Sequence, residues 1–403
     1  MLYFWGQEKM RTLKKTSFSN ETALVRVDFN VPIDNGEITD NSRIVGASKT
    51  IKYILNEGGS CVLMSHLGRP SGADKKHSLK NIVNEISKLL HVEVMFCDET
   101  IGKKAQRMSL NLKPGQVLLL ENLRFHEGET SGDDDFAKEL SKLGTIYVND
   151  AFGTAHRKHA STSTVVKFFG NKKCFGFLLE KEIESLNRII KEGKPPVTAI
   201  LGGSKVSSKI SIIHNILPKI NNLIIGGGMS FTFIKAKGGN IGKSICETEK
   251  ISTAIAIMKT AQEKGVQIYL PVDVRAGQKF TNNTKVKKFD IYNIEENWEG
   301  MDAGPETEKI FHKVIMNSKT ILWNGPIGVF EFKKFSRGTK AVGKSIIEAT
   351  KKGAFSLVGG GDSVAAAKAF GFDKHVSYVS TGGGAMLESL EGKTLPGIKS
   401  IIE

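Results

Sequence analysis

The chain has 403 residues, 40% hydrophobic and 25% charged. These are ordinary proportions for a globular protein, and the length allows two domains. Composition excludes disorder, collagen and coiled coil, and no apolar run reaches the roughly 18 residues of a spanning helix. A net charge of +15 could serve nucleic acid, an anionic membrane or small anions, but no stripe of basic residues interleaved with aromatics supports nucleic acid.

The opening Met1-Leu2-Tyr3-Phe4-Trp5 is apolar but too short for a signal-sequence core. Cys61, Cys97, Cys174 and Cys246 form no CxxC pair. They read as reduced, buried thiols of a cytoplasmic protein, not as a disulfide framework or zinc site. Ten of the 57 basic residues are arginine, and seven of those precede residue 160. Lysine solvates a surface, whereas arginine grips carboxylate or phosphate in two-pronged fashion. Arg43, Arg69, Arg124 and Arg157 lie among Gly, Asn and His, not on lysine-rich helix faces.

Along the chain a short β-branched apolar run, a polar or Gly-rich turn and a helical stretch recur. Strands are predicted at 23–29, 60–65, 117–120, 145–148, 197–201, 222–226, 266–270, 319–323, 354–358 and 376–380. The spacing leaves room for one helix between strands, which predicts an α/β fold with mostly parallel, helix-covered sheets. So many strands favour two sheets in two domains. Residues 180–192 read as an amphipathic helix with Ile183, Leu186, Ile189 and Ile190 on one face, ended by Gly193-Lys194-Pro195-Pro196. The boundary is expected within 170–196, with this helix as connector. The acidic group Glu127, Glu129, Asp133, Asp134 and Asp135 lacks EF-hand spacing and reads as a loop entering a helix N-terminus.

Ligands of open parallel sheets bind beyond the carboxyl ends of the strands. In the second half those turns are glycine-rich: 202–203, 226–228, Asn324-Gly325-Pro326, Gly359-Gly360-Gly361-Asp362 and 382–384. Glycines admit backbone N–H groups close to an anion, and a following helix adds its positive end. Tight packing could explain any one cluster, but five together predict a phosphorylated ligand. In the first half the turns carry Asp28 and Asn30, then His66 and Arg69, then Arg124, then Arg157, with Arg43 on a loop soon after the first. That set suits a small, multiply anionic ligand with hydroxyls. One domain cradles a nucleotide and the other a small acid, and transfer between them requires closure and exclusion of water. The pattern is that of a small-molecule kinase.

Two decoys occur. Gly338–Ser345 matches GxxxxGK[ST], but polar and basic residues precede it where a P-loop needs a strand. Residues 338–350 read as an amphipathic helix, so Lys344 is not expected to bind phosphate. The stretch 238–244 is one residue short of the same spacing, and no glycine cluster meets GxGxxG.

The segments Arg26–Pro32, Ser65–Pro70, Asn149–Arg157, Leu201–Lys209, Trp323–Glu331, Gly359–Ser363 and Ser380–Gly384 together resemble, in order, the motifs of the phosphoglycerate kinase family. The resemblance implies two Rossmann-like domains: 1–179, binding 3-phosphoglycerate, and 197–388, binding nucleotide. Residues 180–196 would connect them and 389–403 would return to the first domain. It implies a cytoplasmic, hinge-bending monomer with no nucleic-acid or membrane partner. The implied reaction is reversible phosphoryl transfer between 1,3-bisphosphoglycerate with MgADP and 3-phosphoglycerate with MgATP.

By the same resemblance, Asp28 and Asn30 hold the glycerate, and His66, Arg69, Arg124 and Arg157 grip its phosphate. Arg43 contacts the carboxyl end and the phosphoryl group in flight. Lys205 is the catalytic lysine and Lys209 meets the α-phosphate. Asp362, beside Ser363, holds Mg²⁺. Gly360 and Gly361 donate backbone N–H bonds, Glu331 accepts from the ribose, and Gly226, Gly227, Asn324 and Pro326 belong to the nucleotide site. Ser380 and Thr381 fall at the hinge. Ser204 and Ser363 stand where some members carry Ala and Thr. Met1–Lys9 extends beyond the usual family start, which makes Met10 a candidate initiator.

Overall fold

A computed structural model describes residues 11–403. The expectation concerning Met1–Lys9 and Met10 lies outside the described residues. The chain divides into two compact units, one ending at Glu184 and joined by Thr394–Glu403, the other Ser185–Lys393.

The first unit is built on β1 (Thr22–Val27), β2 (Ile33–Asp34), β3 (Glu37–Ile38), β4 (Ser60–Met64), β5 (Val94–Cys97), β6 (Val117–Leu120), β7 (Ile146–Asp150) and β8 (Lys173–Phe175). Six of these form one parallel sheet in the order β5-β6-β4-β1-β7-β8. Its central strands are buried on both faces, which is why they read as continuous apolar runs. Val25, Val27, Leu63, Leu119 and Val148 pack with Ile44, Ile51 and Ile54 of the helix Ser42–Asn56 to form the core. Two strands of this sheet escaped the sequence reading, as did the short β2 and β3. β5 has four residues, and β8 is a three-residue edge strand that begins on a lysine.

Asn149 and Asp150, predicted in a turn, are the last residues of β7 and are buried. Asp150 Oδ1 accepts from Leu178 N at 2.9 Å and Leu179 N at 3.1 Å, capping the helix Phe177–Ile190. That helix starts three residues before the predicted 180. Ile183, Leu186, Ile189 and Ile190 are all buried, and the division between the units falls inside it. Asn149 Nδ2 donates to Gly397 O at 3.2 Å, and Gly397 N donates to Ala155 O at 2.8 Å. These bonds seat the terminal helix Pro396–Ile402. The segment that belongs to the first unit begins at Thr394, not 389.

The second unit contains β9 (Val197–Leu201), β10 (Asn222–Ile225), β11 (Asn240–Ile241), β12 (Gln267–Tyr269), β13 (Asp273–Gly277), β14 (Val286–Asp290), β15 (Asn293–Ile294), β16 (Glu299–Ala303), β17 (Thr320–Asn324), β18 (Phe355–Val358) and β19 (Tyr378–Val379). Its main sheet is parallel, in the order β12-β10-β9-β17-β18-β19. The order reverses between β9 and β17, so those neighbours form the topological switch point where ligands of such sheets bind. A small antiparallel sheet, β14-β13-β16, is an addition to the parallel architecture. Its sequences, such as VKKFD and EGMDA, are too charged to read as core strands. It has its own core, in which Phe231 and Ile234 meet Val274, Phe289 and Trp298. Among the described residues, no helix is long and apolar enough to cross a membrane.

Candidate active site

In the first unit the ends of β1, β4 and β6 bring Asp28, Asn30, His66 and Arg124 together. Arg43, in the first turn of its helix, reaches Asp28 Oδ2 at 3.0 Å and donates to Asn30 O at 3.0 Å. Asn30 Oδ1 accepts from Gly68 N at 2.8 Å, and Arg124 Nη1 donates to Gly68 O. Gly68 therefore ties the loop after β4 to both neighbours, and its positive φ of 63° suits the glycine there. Asn122 Nδ2 fixes the same loop by donating to Leu67 O and His77 O, each at 2.8 Å. Arg69 and Arg157 are exposed. Arg69 lies within electrostatic reach of Arg124, and Arg157 follows the turn after β7, its backbone N–H bonded to Thr154 O.

His66, expected among the residues that grip the phosphate, is only 4% exposed. Burial first, then the charges of Arg26, Arg124 and Arg43, hold its pKa well below the ordinary imidazole value. Its ring is neutral near pH 7, so the positive charge comes from arginines and His66 offers a hydrogen bond instead. Burial, and next Arg26, also lower the pKa of Arg124.

Sequence reasoning gave Arg26 no role. It is fully buried at the end of β1, and its Nη2 lies 3.2 Å from His66 Nδ1. The signal was present as a single arginine inside an apolar strand, a position that burial makes costly without a set of partners. Glu129 lies in the first turn of the short helix Glu127–Ser131, in keeping with the helix N-terminus expected of the acidic group, and it is fully buried, its carboxylate accepting from Ser161 N at 3.0 Å and Ser161 Oγ at 2.7 Å. Asp133 does cap a helix, Asp134–Ser141, by accepting from Phe136 N at 2.7 Å.

In the second unit the glycines fall into two groups. Gly202 and Gly325 sit at the switch point and press on each other. A Cβ on Gly202 would lie 2.1 Å from Pro326 O, and one on Gly325 would lie 2.2 Å from Gly202 O. Gly226 packs on Ile327, and Gly359 on Met386. These four serve close packing. Gly203 and Gly361 face open space, with no atom within 4 Å of a built Cβ, which leaves room for a ligand beside their backbone.

A cavity of about 260 Å³ opens beside these turns, lined by Gly203, Gly227, Gly228, Pro326, Glu331 and Asp362. The same lining includes the apolar side chains of Phe231, Val274, Phe280, Ile291 and Met301. Glycine-rich turns and apolar side chains around one cavity suit a nucleotide. The apolar lining was not foreseen, because part of it comes from the antiparallel sheet. Of the residues expected at the nucleotide site, Lys205, Lys209, Gly226, Asn324, Gly360, Gly361 and Ser363 do not line this cavity. Asn324 is buried beneath the turns, where its Oδ1 meets Lys209 Nζ and its Nδ2 donates to Gly359 O at 2.6 Å. Ser363 Oγ accepts from Gly325 N, so that hydroxyl already holds a turn.

Lys209 is partly buried, and burial lowers its pKa against the opposing pull of Asp362. Lys205 is exposed on the loop after β9. Asp362 is exposed in the first turn of the helix Gly361–Ala369. Among the described residues, no three His, Cys, Asp or Glu converge to hold a metal.

The P-loop decoy is helix throughout, within Arg337–Lys351. Gly338 N donates to the Asp302 carboxylate at 3.0 Å, Ser345 Oγ bonds Ala341 O at 2.8 Å, and Gly343 abuts Phe372. Its conformation and bonding are those of a packed helix, not of a phosphate cradle.

A cluster of arginines with Asp28 and Asn30 at the strand ends of one parallel sheet, and a glycine-lined cavity with two nearby lysines on another, fit a class: a phosphotransferase of small molecules. The comparisons specify it. The phosphoglycerate kinase family profile matches residues 13–393. A phosphoglycerate kinase of Porphyromonas gingivalis is 50% identical, with 97% of this chain and 99% of the relative covered. The cytosolic phosphoglycerate kinase 3 of Arabidopsis thaliana is 47% identical, covering 97% and 98%. The solved phosphoglycerate kinase of Coxiella burnetii superposes with a TM-score of 0.89 at 39% identity, covering 97% of this chain and 98% of that one. That of Pyrococcus horikoshii gives 0.83 at 30% identity, with the same coverage. The chain belongs to the phosphoglycerate kinase family and is a phosphotransferase with a carboxyl group as acceptor.

Proposed function

We propose that this protein reversibly transfers a phosphoryl group between 1,3-bisphosphoglycerate with ADP and 3-phosphoglycerate with ATP, with Mg²⁺ on the nucleotide. The observation that carries the acid site is the meeting of Asp28, Asn30, Arg43 and Arg124 at the ends of neighbouring strands, bound through Gly68. Asp28 and Asn30 orient the glycerate hydroxyl and carboxylate. Arg69, Arg124 and Arg157 grip the 3-phosphate, and neutral His66 donates a hydrogen bond to it.

The acceptor in the ATP-consuming direction is a carboxylate, already ionised at neutral pH. No general base is needed, and the protein's task is to position the reactants and neutralise charge on a loose phosphoryl transition state. Arg43 and Lys205 supply that charge, with backbone N–H groups of Gly360 and Gly361. Lys209 meets the α-phosphate, Gly227 and Pro326 border the nucleotide, and Glu331 accepts from the ribose.

Asp362 fits a magnesium ion as a single exposed carboxylate at a glycine-lined cavity, since Mg²⁺ commonly takes one or two protein carboxylates and completes its shell with phosphates and water. The bound ion would neutralise phosphate charge.

Direct transfer needs the reactants brought together with water excluded, and the hinge reading of Ser380 and Thr381 belongs to this step. We read the protein as a cytoplasmic monomer without nucleic-acid or membrane partners. The cytosolic designation of the Arabidopsis relative supports the location, and light scattering in solution would expose an oligomer. A coupled assay with ATP, Mg²⁺ and 3-phosphoglycerate tests the main reading. Turnover is expected, and a folded protein that binds MgATP but turns over nothing would overturn the acid assignment.

A further inference from the structure

Behind the proposed acid site lies a buried chain of hydrogen bonds whose direction chemistry fixes. Arg26, Ser161 and Glu129 are each 0% exposed, and His66 is 4% exposed. Arg26 Nε donates to Ser161 Oγ at 2.8 Å. Guanidinium has no acceptor, so the Ser161 hydroxyl must accept there. Its own proton is then free for Glu129 Oε1, 2.7 Å away. Ser161 N also donates to Glu129 Oε2 at 3.0 Å. At the other end, Arg26 Nη2 lies 3.2 Å from His66 Nδ1. Arginine again can only donate, so Nδ1 accepts and the imidazole proton sits on Nε2. The Asp28 carboxylate is 3.9 Å from Nδ1, too far to reverse that choice by a hydrogen bond.

We propose that Glu129, acting through Ser161 and Arg26, is a positioning residue that holds His66 in its Nε2–H tautomer as a hydrogen-bond donor for the acid's phosphate. Two features argue against a purely structural ion pair. A carboxylate and a guanidinium buried only for stability would meet directly, whereas here a hydroxyl separates them. The guanidinium also uses its free edge on an imidazole rather than on a second carboxylate. The architecture serves the same end. Glu129 sits on the short helix Glu127–Ser131, just beyond the turn that carries Arg124. Ser161 lies in a π-helical turn, Ala160–Thr164, whose Ser161 carbonyl is held by Tyr147 OH at 2.9 Å. Such turns recur at functional sites. Orientation of a histidine by an outer partner is a general device for fixing its tautomer.

The inference rests on the reading of this pocket as the acid site, and the test separates the two. Uniformly ¹⁵N-labelled full-length protein is examined by long-range ¹H–¹⁵N correlation at pH 7.5, with Ser161→Ala, Ser161→Thr and Glu129→Gln variants. The wild type without ligand should show His66 as the Nε2–H tautomer. Ser161→Ala should mix the tautomers and raise the KM for 3-phosphoglycerate about tenfold, the size of one lost charged hydrogen bond, while the KM for ATP stays within about twofold. Ser161→Thr, which keeps the hydroxyl, should restore both. Glu129→Gln should move in the same direction as Ser161→Ala, and if it does not fold, the Ser161 pair decides. An unchanged tautomer in folded Ser161→Ala would overturn the proposal. So would equal rises in both KM values that threonine fails to rescue. If 3-phosphoglycerate leaves the wild-type His66 signals unmoved, the acid-site reading fails, and the tautomer comparison in ligand-free protein still tests the chain of bonds.

Discussion

Arg43 Nη1 lies 3.0 Å from Asp28 Oδ2, yet the arginine side chain is 35% exposed while Asp28 is 12% exposed. The pair is anchored at one end and open at the other. A half-buried pair that is open to solvent at its arginine end contributes at most about 1 kcal/mol, and the open end leaves the arginine available for a ligand. Arg43→Ala should lower turnover by roughly 10² or more, as expected for a lost transition-state charge, with thermal stability nearly unchanged. Steady-state kinetics beside a thermal melt checks both, and full activity in the variant would remove Arg43 from the reaction.

Lys205 and Lys344 offer a direct contrast. Lys205 lies on an exposed loop at the switch point, whereas Lys344 sits within a helix. Lys205→Ala should lose turnover by roughly 10² or more, and Lys344→Ala should stay near wild type. The opposite ranking in the coupled assay would sink the nucleotide-site assignment.

The two groups of glycine predict two phenotypes. Gly202→Ala forces a methyl to 2.1 Å from a backbone oxygen, which should destabilise the protein by about 1–3 kcal/mol as overpacking does. Gly361→Ala meets no atom within 4 Å, so denaturant unfolding should change by no more than about 0.5 kcal/mol. If its N–H lies against a phosphate, the added methyl should raise the KM for ATP. A Gly361→Ala protein that is unstable but binds ATP normally would reverse the sorting.

Asp150 makes stability depend on pH. Burial raises its pKa from 3.8 to about 6. The folded state therefore binds more protons than the unfolded state between those values, and stability falls as pH rises through that window. Above pH 6 the cost of the buried charge is fully present. Asp150→Asn keeps an acceptor for Leu178 N and Leu179 N and removes the titration. Its stability relative to wild type should improve by roughly 1–3 kcal/mol between pH 4 and pH 7. Paired thermal melts across that range check the sign, and a difference that is flat with pH would refute it.

Much of the fold was legible because parallel strands buried on both faces write themselves as apolar runs, and because helices that cover them leave regular spacing. The run 197–201 matches β9 residue for residue. The antiparallel sheet was not legible. Val286–Asp290 carries two lysines and an aspartate around one buried phenylalanine, and no periodic signal separates it from a loop. Among the candidate site residues, those on turns after strands stood out because polar groups in such places have few structural uses in a parallel fold. Arg26 and Glu129 were overlooked in their roles because one lies inside a strand and the other within an acidic run.

The amino-acid sequence by itself determined the two parallel, helix-covered sheets and the family, and it put the polar and glycine-rich groups on the turns after the strands, because each is written in local order: strand, turn, helix. It could not decide which glycines make room for a ligand and which press on one another, since that depends on distances such as the 2.2 Å between a built Cβ on Gly325 and Gly202 O. Nor could it decide that His66 is neutral or which of its nitrogens carries the proton. Those follow from burial and from a guanidinium 40 positions away in the chain, brought to the imidazole by the parallel pairing of β1 with β4.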